Sequence, residues 1–143
     1  MGAHEYHVGK VVVARLAHED DLLQGITSMA VAHRITVGAV KAIGALREAR
    51  LAYYHQDRRE YAEFDVEGPV EIISCVGNVS RRDGGAATHA HLCVSSHDGS
   101  TRGGHLVSGC VVFACEVVLT ELLGPPLERG FDEVTGLPLW TGL

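Results

Sequence analysis

One stretch of this chain repeats its apolar residues at helical spacing, and the text on either side does not. Between residues 22 and 34, Leu22, Leu23, Ile26, Met29 and Ala30 fall on one face of a helix, and His33 continues the stripe. The preceding His18-Glu19-Asp20-Asp21 supplies carboxylates at the helix start, where they complement its dipole. A single amphipathic helix cannot build a core by itself, so its stripe must lie on a sheet. The remaining text supplies one. Residues 6–15, with Val11-Val12-Val13, read as a strand, and so do residues 36–45, 48–55 and 60–66. Gln56-Asp57-Arg58-Arg59 reads as a hairpin turn, and a short helical turn fits near Leu46. Gly38 and Gly44 suggest a bend or a close backbone approach. Further strands are expected at residues 70–79, 88–95 and 111–122, with polar loops at 80–87 and 97–104. Phe131, Leu137 and Trp140 in the tail are expected to pack back on the body. Strand, long helix, then hairpin-linked strands define an α+β fold with a central antiparallel β-sheet and the helix packed on it.

A chain of 143 residues without repeats or linkers reads as one domain, residues 1–143 with a core at about 6–140. Its net charge of −6 argues against general nucleic-acid binding, which favours a basic face. Lys41, Arg47 and Arg50, Arg58 and Arg59, and Arg81 and Arg82 read as solvated groups. No apolar run approaches the ~20 residues of a membrane span. The first residues carry neither a basic n-region nor an apolar h-region, so the expected location is the cytoplasm. Cys75, Cys93, Cys110 and Cys115 form no Cys-x-x-Cys pair and read as small buried thiols.

His89-Ala90-His91 has a different character. Side chains two apart on a strand share a face, so both imidazoles can reach one ion. His105 is the best third ligand, because Gly103-Gly104 before it lets the backbone approach closely. Three histidines leave coordination positions open for water or substrate, the arrangement of catalytic rather than structural zinc sites. Water on such an ion ionises near pH ~7. Cys93 continues the register and could add a thiolate, and Asp98, Glu116 or backbone carbonyls could orient the rings. Glu116 is also the candidate acid or base. The competing reading is polar histidines on an exposed or interface-facing strand. No Gly-x-Ser-x-Gly elbow, Gly-x-Gly-x-x-Gly fingerprint or phosphate loop is present.

The ordered stretches Arg15-Leu16, Asp20-Asp21-Leu22-Leu23, residues 38–45, residues 49–54 and residues 67–78 are together distinctive. So are His89-Ala90-His91, Gly103-Gly104-His105-Leu106, residues 109–112 and residues 131–137. With these the chain resembles the PPC ("plants and prokaryotes conserved") domain family from about Arg15 to Trp140. The resemblance implies an α+β fold assembled as a homotrimer. It also implies a metal, zinc or another divalent first-row ion, at His89, His91 and His105. The family usually has glycine where this chain has Glu19. Plant members join the domain to AT-hooks, whose Arg-Gly-Arg-Pro core is absent here, so DNA binding does not carry over with the fold.

The expected function is therefore that of a trimeric metal-binding protein, with metal-dependent chemistry on a small molecule. The alternative is a DNA-associated regulatory module that acts as a trimeric scaffold.

Overall fold

The computed structural model describes residues 2–143. Nine strands and one helix follow in the order β1 (His7–Leu16), α1 (Leu22–Ala32), β2 (Gly38–His55), β3 (Glu60–Val66), β4 (Val70–Arg82), β5 (Gly85–Ser95), β6 (Thr101–Leu106), β7 (Val111–Leu123), β8 (Glu128–Asp132) and β9 (Leu137–Thr141). The expected long helix is corrected to 11 residues. Asp21 caps its start, with Oδ1 accepting from the Gln24 N–H at 2.9 Å. Its end comes before the apolar stripe would suggest. Arg34 turns left-handed at φ 54°, and the Ile35 N–H returns to the Ala30 carbonyl. His33 is thereby left exposed at the C-cap rather than on the stripe. Leu22, Ile26, Met29 and Ala30 bury the inner face of α1, which lies over β5 and β7.

The strands form one sheet in the order β1-β7-β2-β6-β5-β4-β8-β9, with β3 paired to β2. All pairings are antiparallel except one parallel bridge between Arg81 of β4 and Glu128 of β8. The fold is thus a mostly β, mixed sheet with one short helix rather than a balanced α+β structure. The long strand β2 organises it. Its first half pairs with β4 and β7, and its second half with β3 and β6. Because β4 also pairs with β5 and β5 with β6, strands β2, β4, β5 and β6 close a ring. Strand β2 makes this turn through register shifts on both sides of Leu46, where a helical turn had been expected, and at Gly44. Gly44 has φ 144°, and a Cβ there would collide with the Ala114 carbonyl, so the bend needs glycine. Leu46, Leu51, Leu92, Leu106, Val112 and Leu119 fill the core beneath α1. No helix among the described residues is long and apolar enough to cross a membrane.

The opposite face of the sheet points to solvent and carries the histidines. One row of laterally paired residues crosses it: Val13, Val118, Lys41, Val76, His91, His105. The tail forms the β8–β9 hairpin, which had not been expected as strands. Leu137 is half-buried, but Phe131 does not pack back on the body; its side chain is 74% exposed.

Candidate metal centre

The site is built by backbone pairing. His91 on β5 and His105 on β6 are direct cross-strand partners, and His89 stands two residues along β5 on the same face. Gly104 allows this register. A Cβ there would sit 2.9 Å from the Ala52 carbonyl, so glycine lets β6 lie close against β2. The ring centroids are 4.9 Å apart for His89 and His105, 5.4 Å for His89 and His91, and 5.6 Å for His91 and His105. One nitrogen from each ring lies within 4.8 Å of the others.

The donor set suits a divalent first-row ion. Tetrahedral bonds of about 2.0–2.1 Å put ligand nitrogens about 3.4 Å apart, so side-chain adjustments of about 1 Å close the site. Ligand imidazoles must also be neutral. Burial holds the pKa of His89 down to about 4, helped by the Arg129 charge and the other two rings. Burial lowers that of His105 as well, followed by His91 and Arg129. Both rings therefore keep a lone pair at neutral pH.

The three rings lie in a cavity of about 710 Å³. Tyr61 leans on His105 at 5.0 Å between centroids and on Tyr54 at 4.9 Å. The Tyr54 hydroxyl donates to the Thr135 carbonyl at 2.6 Å. Leu137, Pro138 and Leu139 of the β8–β9 hairpin form one wall. Arg129 comes from the same hairpin and is pinned on neutral acceptors. Its Nε donates to Ser80 Oγ at 2.8 Å, Nη1 to the Pro138 carbonyl at 2.9 Å and Nη2 to Asn78 Oδ1 at 2.8 Å. The Trp140 ring lies 5.5 Å from its guanidinium carbon. Nη2 also approaches His89 Nδ1 at 3.3 Å.

The structure gathers His89, His91 and His105 but separates the other candidates from them. Glu116 pairs laterally with Arg15 and Ile43 on β7, three strands from β5. At about 4.8 Å per strand that is about 14 Å along the sheet. Glu116 lines a second depression of about 420 Å³ with Lys41, Ile43 and Val118, apart from the histidine cavity of its own chain. The Asp98 carboxylate is occupied in its own turn by the Ser100 N–H at 2.9 Å and the Ser100 hydroxyl at 2.7 Å. Cys93 shares the face of His91 but lies outside the ligand cluster. Sequence reasoning passed over Arg129, Asn78 and Tyr61, since no motif surrounds them and only the hairpin and the ring closure bring them to the histidines.

A small mostly-β domain with a three-imidazole cluster beside a half-buried arginine defines the class of protein in hand. The chain belongs to the Plants and Prokaryotes Conserved (PCC) domain family, whose model matches residues 3–123. The match stops before the β8–β9 hairpin. A metal-containing protein from Archaeoglobus fulgidus is 41% identical, with a TM-score of 0.94 over 99% of this chain and 100% of that one. A plant- and prokaryote-conserved protein from Pyrococcus horikoshii is 33% identical, with a TM-score of 0.92 over 100% and 99% of the two chains. Both superpositions include the hairpin. The chain is also 31% identical over 129 residues to the bifunctional protein GlmU of a Synechococcus strain, covering 89% of this chain. It spans about a fifth of the length of the curated relatives it matches.

Proposed function

We propose that His89, His91 and His105 hold one divalent first-row ion, with zinc the best match to three neutral imidazoles, and that a small molecule binds in the cavity beside it. The observation that carries this reading is the convergence of three ring nitrogens within 4.8 Å at the wall of that cavity. The metal content of the Archaeoglobus relative supports it. When bound, the ion supplies Lewis acidity to a ligand atom. The chain's own residues do the rest: the tyrosines and the hairpin wall shape the space, and Arg129 brings a fixed positive charge. Four unpaired thiols suit a reducing compartment such as the cytoplasm. A trimer of this chain would cover the apolar part of the outer sheet face.

Elemental analysis of protein purified without an affinity tag tests the reading. About one equivalent of metal per chain is expected, and His91→Ala is expected to lose it while keeping its melting temperature within a few degrees of the metal-stripped wild type. His91 is exposed, and its side chain makes no hydrogen bond among the described residues. Metal-free wild-type protein, or undiminished metal in the variant, overturns the proposal.

A further inference from the structure

The chain carries 18 acidic side chains and a net charge of −6, yet no aspartate or glutamate among the described residues lines the histidine cavity. The charged side chains that do line it are Arg129 and Arg82. Arg82 sits at the rim and has a partner, with Nε 3.5 Å from Asp83 Oδ2. Arg129 is half-buried and makes no ion pair among the described residues; its four contacts are all to neutral groups. A guanidinium cannot lose its proton under any ordinary condition, so this charge is permanent. With a divalent ion on the three imidazoles, and Arg82 set against Asp83, the half-buried cavity would hold three unpaired positive charges and no lining carboxylate. Desolvated charge of one sign without a counter-charge is costly, so the balancing charge has to arrive with the ligand.

The hydrogen bonding points the same way. A guanidinium N–H can only donate, so in the metal-free site His89 Nδ1 accepts from Arg129 Nη2 and the ring proton sits on Nε2. Loading an ion breaks this contact by either route. On Nδ1 the ion takes the lone pair that Nη2 was using. On Nε2 it forces the ring proton to Nδ1, which then faces the Nη2 donor. Either way a guanidinium N–H is released beside the ion. Nη1 has a second N–H, since its contact with the Pro138 carbonyl uses one of two. Nη1 and Nη2 then each have one N–H free in the fixed guanidinium plane, the donor set that recognises carboxylate or phosphate. The apolar wall of Leu137, Pro138 and Leu139 provides space for a carbon body.

Resting on the metal reading above, we infer that the ligand of this cavity is a small organic anion whose carboxylate or phosphate group spans the ion and the Arg129 guanidinium. The β8–β9 hairpin is then the recognition element of the site, and Arg129 is its specificity-determining residue.

The test uses full-length protein loaded with cobalt(II), whose visible absorption reports its coordination. Benzoate, inorganic phosphate and neutral benzamide are titrated separately, and cobalt content is measured first. Benzoate or phosphate is expected to perturb the spectrum at concentrations at least tenfold lower than benzamide. Which of the two anions is preferred identifies the headgroup. Arg129→Met is expected to erase that preference, bringing benzoate, phosphate and benzamide to similar concentrations, with cobalt still bound. Arg129→Lys keeps the charge without the fork and is expected to lose threefold to tenfold in anion affinity, which covers the case where the methionine variant fails to fold. A wall that were merely structural would weaken all three probes alike. Cobalt bound at one per chain with no preference for anions, or a preference undiminished in the folded Arg129 variants, overturns this inference alone. Failure to bind cobalt overturns the metal reading, and this inference with it.

Discussion

At the residue scale, the histidines were legible because strand periodicity is a strong geometric rule: residues 89 and 91 had to share a face if the segment was a strand. His105 was legible only through the glycines before it. Arg129 was not, because its role depends on a hairpin that joins the sheet edge far from the histidines in sequence. Glu19, where the family usually has glycine, adopts the left-handed conformation glycine would supply, at φ 72°. Its N–H donates to the Val112 carbonyl at 2.9 Å, and its carboxylate meets Arg47 and His18, which hold the conformation from both ends. Of the four thiols expected to be buried, Cys75, Cys110 and Cys115 are, whereas Cys93 is half-exposed; the buried three carry a pH dependence. Burial pushes the Cys75 thiol up to about 12, with smaller help from Cys115 and Cys110, and burial raises Cys110 and Cys115 to about 11. Unfolded thiols release their protons near pH ~8.5. Above that value the unfolded chain holds fewer protons than the folded one, so stability falls as pH rises from about 9 toward 12. The thiolate is the reactive form. Iodoacetamide at pH 8 is therefore expected to modify the half-exposed Cys93 in the native protein, with the other three labelled only after denaturant is added. Mass spectrometry of the peptides reads this directly, and rapid native labelling of Cys75 would contradict it.

At the element scale, type was easier to read than extent. The 80–87 segment was taken as a loop because it is polar, yet Ser80, Arg81 and Arg82 pair with Ala87, Ala86 and Gly85 as a continuation of β4 and β5. The signal was present: Asp83 and Gly84 have φ 52° and 80°, the positive pair of a tight hairpin turn that Asp-Gly favours. Strand β6 was hidden for a different reason. Arg102-Gly103-Gly104 has no apolar alternation, and the strand exists because β5 offers it backbone partners. Helix α1 was legible at its start but not at its end. Its start also has a tertiary role, because the Asp21 cap uses both oxygens. Oδ1 accepts from Gln24, and Oδ2 accepts from the Gly109 N–H at 2.7 Å, tying the helix to the turn before β7. Asp21→Ala is expected to cost about 1–2 kcal/mol in urea unfolding, the range for a lost cap and a second stranded donor. Asp21→Asn keeps one acceptor and should lose less. A loss below about 0.3 kcal/mol for the alanine variant would mean that water replaces both bonds.

At the scale of the whole molecule, the two faces of the sheet have separate tasks. The inner face holds the core under α1. The outer face runs from the histidine cluster across Val76 and Lys41 to Val118 and Val13, and Ile43 and Phe113 extend it. Val13 is 71% exposed and Phe113 59%, unusual for side chains that cluster on one sheet face. A second copy of the chain is the covering that the proposed trimer requires. Val118→Glu tests it with little risk to the fold, because the new carboxylate would stand beside its cross-strand neighbour Lys41. A contact between copies that packs Val118 against apolar side chains would lose that packing and would have to desolvate the new carboxylate. Sedimentation equilibrium of the wild type is expected to give three times the chain mass, and the variant is expected to sediment as a monomer. The metal content should stay at one per chain in both, because all three imidazoles come from β5 and β6 of the same chain. Monomeric wild type, or a variant that still sediments as a trimer, would remove this face from the interface. Loss of metal on dissociation would mean instead that the neighbouring copy holds the histidine strands in register.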